Sequence, residues 1–134
     1  MTGTSNHKLL ILCSSSHFRT LMADILSEYY LEFISKSEDL LDVNYLKKVF
    51  LSNTFDMLIL TNISIPIAII KQHISLLPDN RTYGVLLISG YFDEEVCDIC
   101  KNDGIISVPA PFEPDVLRAV IAGLENRNGR YSSK

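Results

Sequence analysis

The segment "CSSSHFRT", Cys13 to Thr20, places five residues between a cysteine and an arginine and follows the arginine with a hydroxyl residue. That spacing suits phosphate chemistry. A cysteine at a helix N-terminus is stabilised as a thiolate. Loop amides there cradle a phosphoryl group, and an arginine clamps two of its oxygens. Two features work against it. No glycine lies between Ser14 and Phe18, so an amide-inward loop would hold ordinary residues in costly backbone conformations. Phe18 is also bulky beside the clamp. The alternative role for Cys13 is that of a small, half-buried apolar residue.

Other reactive side chains are scattered. "CDIC" gives one pair, Cys97 and Cys100, with no second pair to complete the four ligands of a zinc site. His7, His17 and His73 lie far apart, and His17 is the one nearest the Cys13 loop. Three cysteines do not make a disulfide framework.

The elements that must position these groups follow from apolar periodicity. Short apolar runs occur at Leu9–Leu12, Leu31–Ser35, Met57–Leu60, Val85–Ile88 and Ile105–Val108. Three are uninterrupted, as in parallel strands buried on both faces, and Ile105–Val108 is broken only by Ser107. The alternating "LEFIS" suits a position nearer an edge. Between the runs lie helix-period segments. The first, about His17–Tyr29, puts Leu21, Ile25 and Phe18 on one face. The second starts at a capping box of Ser35 and Glu38 and reaches about Leu51. The third opens at Pro66 and stops before Pro78. The fourth follows Asp93 and ends at Gly104. The fifth starts at Pro114, with Leu117, Val120, Ile121 and Leu124 at helical spacing. Five βα units predict an α/β fold: a doubly wound, five-stranded parallel sheet, flavodoxin-like, in the order 2-1-3-4-5. Pro109 lacks a strand donor and is expected to end the pairing of the fifth strand early.

The chain has 134 residues, 47% hydrophobic and 21% charged, with net charge −4. This suits one domain with a real core, spanning 8–126 between polar tails at 1–7 and 127–134. No basic run outside the last few residues marks a nucleic-acid surface, so no direct nucleic-acid contact is expected. No apolar stretch is long enough to span a membrane. The polar start lacks a signal-peptide core, and a cytoplasmic setting is expected.

Ligands in such sheets bind outside the carboxyl ends of the strands. Those ends carry Cys13, Ser14, Ser15, Thr61, Asn62, Ser89 and Ala110. None is a carboxylate or a lysine. A pocket built from them can hydrogen-bond a small polar group. It lacks the carboxylates Mg²⁺ needs, so neither Mg²⁺ nor another cofactor is expected. Asp56 begins its strand and lies at the opposite end.

From about residue 8 to 126 the chain resembles the receiver domain of two-component response regulators, the CheY-like family. "KLLILCSSS" is similar to its first strand, "FDMLILTN" to its third, "GVLLISGYFD" to its fourth, and "NDGIISVPAPFEPDVLRAVI" to its fifth strand, turn and last helix. The resemblance places the family's acidic pair on Cys13 and Ser14. It places the phospho-accepting aspartate on Thr61, the switch hydroxyl on Ser89 and the lysine on Ala110. The aromatic that pairs with the switch hydroxyl falls on Ser107. Only Ser89 keeps the family's residue type. The resemblance therefore implies the fold, with a degenerate phosphorylation pocket: a pseudo-receiver acting through protein binding. It also implies a cis bond at Ala110–Pro111.

A second, local resemblance joins "CSSSHFRT" and "MADIL" to the phosphate loop and following helix of low-molecular-weight tyrosine phosphatases and related arsenate reductases. It implies a hydrolase using Cys13 and Arg19, but that family's general-acid aspartate would fall on Ala110. A small-ligand sensor using the neutral pocket is the third possibility. For a protein-binding domain, the expected interaction face is Ile105 and Ile106, where receivers often carry acids, beside the small residues Ala119, Ala122 and Gly123. Its partner would be a second copy or another signalling protein. The alternative for the isoleucine pair is burial at the strand start.

Overall fold

The computed structural model describes residues 7–52, 54–63 and 65–132, with side chains as far as 124. The first six residues of the expected N-terminal tail lie outside the described residues. Five strands are β1 (Lys8–Leu12), β2 (Tyr30–Ile34), β3 (Met57–Thr61), β4 (Gly84–Ser89) and β5 (Ile106–Pro109). Six helices are α1 (Ser16–Ile25), α2 (Ser37–Leu40), α3 (Val43–Leu51), α4 (Ile67–Ser75), α5 (Glu94–Asp103) and α6 (Pro114–Ser132). The strands form one parallel sheet in the order β2-β1-β3-β4-β5, as the five βα units predict.

The uninterrupted apolar runs arise because helices cover both faces. Leu10, Leu12, Leu58, Leu60, Val85 and Leu87 pack on the side of α3, α4 and α5. Leu9, Ile11, Met57, Ile59, Leu86 and Ile88 alternate with them and pack on the side of α1 and α6. Every residue of β3 is buried. At about 25 cal/mol per Å² of apolar surface removed from water, these two layers supply the main driving force for folding.

Side chains from distant elements close several helix C-termini, whose last carbonyls lack intrahelical donors. Arg118 Nε donates to Ile25 O at the end of α1, at 3.0 Å. His73 Nε2 donates to Leu40 O at the end of α2, at 2.8 Å. Tyr83 Oη donates to Phe50 O near the end of α3, at 2.7 Å. Arg81 reaches Asp103 O at the end of α5. That helix also closes through Gly104, whose φ of 68° is the left-handed conformation a glycine adopts without strain.

Several boundaries depart from the sequence reading. α1 stops at Ile25, because Tyr29 turns into the core ahead of β2. Phe18, Met22 and Ile25 form its buried face, and Leu21 is 44% exposed. The expected second helix is two helices. Asp42 is extended and its carboxylate accepts from Tyr45 N at 3.0 Å, starting a new helix at Val43. The Ser35–Glu38 capping box does not form; Lys36 stands at the α2 N-cap without a side-chain bond. β5 pairs through Pro109, and Ala110 N still donates to Ser89 O at 2.8 Å. Alternation along the strand turns the Pro109 nitrogen to the open edge of β5, where no donor is needed. α6 is helical through Ser132, so the polar segment from 127 continues the helix.

Candidate functional site

β1, β3 and β4 end side by side, and their register brings Cys13, Thr61 and Ser89 to one edge of the sheet. All three are buried. Ser14 and Ala110 are half-buried beside them. The five positions expected to form the pocket thus lie at adjoining strand ends, and the Ala110–Pro111 bond is cis.

Each hydroxyl has a defined partner. Thr61 Oγ1 donates to Leu12 O at 2.9 Å, back across the sheet to β1. Ser89 Oγ donates to Tyr91 O at 2.6 Å and accepts from Tyr91 N at 3.1 Å. Ser15 N-caps α1 by accepting from Phe18 N at 3.2 Å. Next to it, Asn62 Oδ1 accepts from Gly90 N at 3.3 Å, joining the β3–α4 and β4–α5 loops.

Cys13 Sγ donates to Ser15 O at 3.4 Å and lies against the Thr61 hydroxyl. Burial pushes its thiol pKa up; the Ser15 contact, Thr61 and the Arg19 charge oppose that without reversing it. A reactive thiolate needs the opposite balance. The chain is already helical from Ser16, so α1 begins inside the segment that a phosphate loop would use. Arg19 Nε is buried with no hydrogen-bond partner among the described residues.

The donor set at the strand ends is one thiol, three hydroxyls and a methyl. It does not fit Mg²⁺, a hard cation bound through carboxylates. Asp56 lies at the other end of β3, where it accepts from Lys8 N at 2.8 Å. Asp93, beyond β4, caps α5 through Val96 N at 2.8 Å. Among the described residues no group of three or more His, Cys, Asp or Glu is placed to hold a metal. Cys97 is exposed and Cys100 buried on α5, and His73 is buried far from both in the chain.

The expected interaction face is brought together only in part. Ile105 is 5% exposed and packs into the core on the α3–α5 side. It precedes β5, where its amide donates to Cys100 O at 2.8 Å and its side chain fills the space under α5. Ile106 points to the other side of the sheet and is half-buried, packing with Val120 against the core layer on the α1 and α6 side. Ala119, Ala122 and Gly123 are exposed on α6 with Val116. A Cβ at Gly123 would meet nothing within 4 Å.

One feature has no counterpart in the sequence reading. An apolar groove of about 410 Å³ runs beside the strand ends between α1 and the β5–α6 turn. Phe18, Leu21, Ile25, Ile63, Pro111 and Phe112 line most of it. The signal was Leu21, whose helical spacing assigns it to the core although the neighbouring turn leaves it open.

No protein-family model matches the chain, and no curated protein does. Solved structures do. The signal receiver domain of an HD domain-containing protein from Pseudomonas fluorescens Pf-5 superposes with a TM-score of 0.75 at 15% identity, over 94% of this chain and 99% of that one. A CheY-like response regulator receiver domain protein from Methanospirillum hungatei JF-1 gives 0.68 at 18% identity, over 94% and 99%. The chemotaxis protein CheY4 of Vibrio cholerae gives 0.60 at 16% identity, over 90% and 99%. The chain has the fold of a CheY-like receiver domain. At these identities the likeness concerns the fold alone, and the chemistry rests on the residues above.

Proposed function

We propose that this chain is a phosphorylation-independent, receiver-like signalling domain that works by binding protein, either a second copy of itself or another signalling protein in the cytoplasm. The observation that carries this reading is Thr61. The resemblance to receivers puts it at the position of their nucleophile, and its hydroxyl proton is committed to Leu12 O inside the sheet. A hydroxyl cannot form the acyl phosphate that a carboxylate forms, and among the described residues none of its strand-end neighbours Cys13, Ser14, Ser89 and Ala110 is a carboxylate that could hold a metal. With the pocket neutral and internally bonded, output falls to the surface. Val116, Ala119, Ala122 and Gly123 expose small and apolar side chains along α6, and we assign them to the interaction face with the half-buried Ile106.

The test is chemical. Acetyl phosphate with Mg²⁺ should leave the mass of the chain unchanged, and Mg²⁺ should not shift the amide resonances of Ser14, Thr61 and Ser89. Labelling, or Mg²⁺-dependent shifts at these residues, would overturn the proposal. The hydrolase reading of Cys13 and Arg19 is excluded by our proposal and has its own assay. Hydrolysis of p-nitrophenyl phosphate that disappears in Cys13→Ser would restore it. The small-ligand reading draws on the groove beside α1, whose volume is that of a ligand site.

A further inference from the structure

The geometry points to a hydrogen-bonded brace across the strand ends that holds the β3–α4 and β4–α5 loops in one fixed conformation. This inference rests on the phosphorylation-independent reading and adds that the domain stays in a single state. The brace starts at β1, where Thr61 Oγ1 ties β3 to Leu12 O at 2.9 Å. The Asn62 amide donates to Ile88 O at 3.1 Å, and its side chain accepts from Gly90 N at 3.3 Å. Ser89 closes the next turn, donating to Tyr91 O and accepting from Tyr91 N. The Ser89 carbonyl then takes Ala110 N at 2.8 Å, reaching β5.

Ser89 cannot rotate while these bonds hold. Its side chain is fully buried and both its donor and its acceptor roles are used. Turning it toward Thr61 would break two bonds at once and free Tyr91 and the loop it leads. Asn62 sets the second constraint from the neighbouring loop, so neither loop moves without the other. Tyr91, a residue 64% exposed, is thereby presented in one position.

The experiment is backbone ¹⁵N relaxation dispersion and amide hydrogen exchange on the full chain, wild type against Asn62→Ala and Ser89→Ala. Wild type should show flat dispersion at Gly90, Tyr91 and Phe92. Each variant should show exchange there, with the Gly90 or Tyr91 amide exchanging about tenfold faster, the loss expected for one net hydrogen bond. Microsecond-to-millisecond exchange in wild type would overturn the brace. Variants as flat and as protected as wild type would also overturn it. If Ser89→Ala fails to fold, the half-exposed Asn62 decides alone. Acetyl phosphate labelling with flat loops would remove the phosphorylation-independent reading and leave the brace standing. Mobile loops without labelling would do the reverse.

Discussion

Acid should loosen this domain through one residue, His73. Its ring is fully buried, Nε2 donates to Leu40 O at 2.8 Å, and Nδ1 has no partner among the described residues. Burial lowers its pKa; the Leu40 bond opposes this only in part. The unfolded chain, with an ordinary histidine pKa of about 6.5, therefore binds the proton more readily than the folded one. The His73 contribution is constant well above pH 6.5. It falls as pH drops through that value and keeps falling until the lowered folded pKa is reached. One such proton gives a slope of at most about 1.4 kcal/mol per pH unit, a large share of a domain stability of about 5–15 kcal/mol. Urea unfolding at half-unit steps from pH 8 to pH 5 measures it. His73→Gln keeps a donor within reach of Leu40 O and has no titrating ring, so its profile should be flatter by that slope. Equal slopes in both proteins would refute the reasoning, as would stability that rises on acidification over this range.

Ile105→Asp should unfold much of the population, since it forfeits about 1.5–3 kcal/mol of burial and leaves an unpaired carboxyl in the core. Ile106→Asp should fold and weaken self-association or partner capture, which light scattering and pull-down read; a folded Ile105→Asp would refute the core placement. Arg118→Met should cost about 0.5–1.5 kcal/mol in thermal or urea unfolding through the lost bond to Ile25 O. Asp115→Asn should cost almost nothing, because the Asp115 side chain is 96% exposed and its ion pair with Arg118 is solvated. Asp42→Ala should cost about 1 kcal/mol as the loss of the α3 N-cap, whereas Ser35→Ala should be near neutral because α2 starts at Lys36 without it.

The sequence by itself determined the sheet and the character of the pocket. Runs such as "LLIL" and "MLIL" require cover on both faces, which leaves a parallel sheet between helix layers. The residues after those runs fix the strand-end chemistry, so the absence of carboxylates at Cys13, Ser14 and Thr61 was legible without coordinates. Gly104 marked a helix end because a left-handed cap follows from one residue type. Asp42 carried the signal for a helix start, yet a strong Ser-x-x-Glu pattern upstream masked it. Tertiary structure decided the rest. Ile105 and Ile106 are adjacent and chemically identical, and only the start of β5 beneath α5 sends one into the core and the other toward α6. Leu21 has core spacing on α1, but the β5–α6 turn stops short of it and leaves a groove. The direction of the Thr61 hydroxyl, the Asn62–Gly90 bond and the Arg118 contact with Ile25 join residues 49, 28 and 93 positions apart. Periodicity and capping are local signals. Pairings at such separations depend on how whole elements dock, so they became visible only in the folded chain.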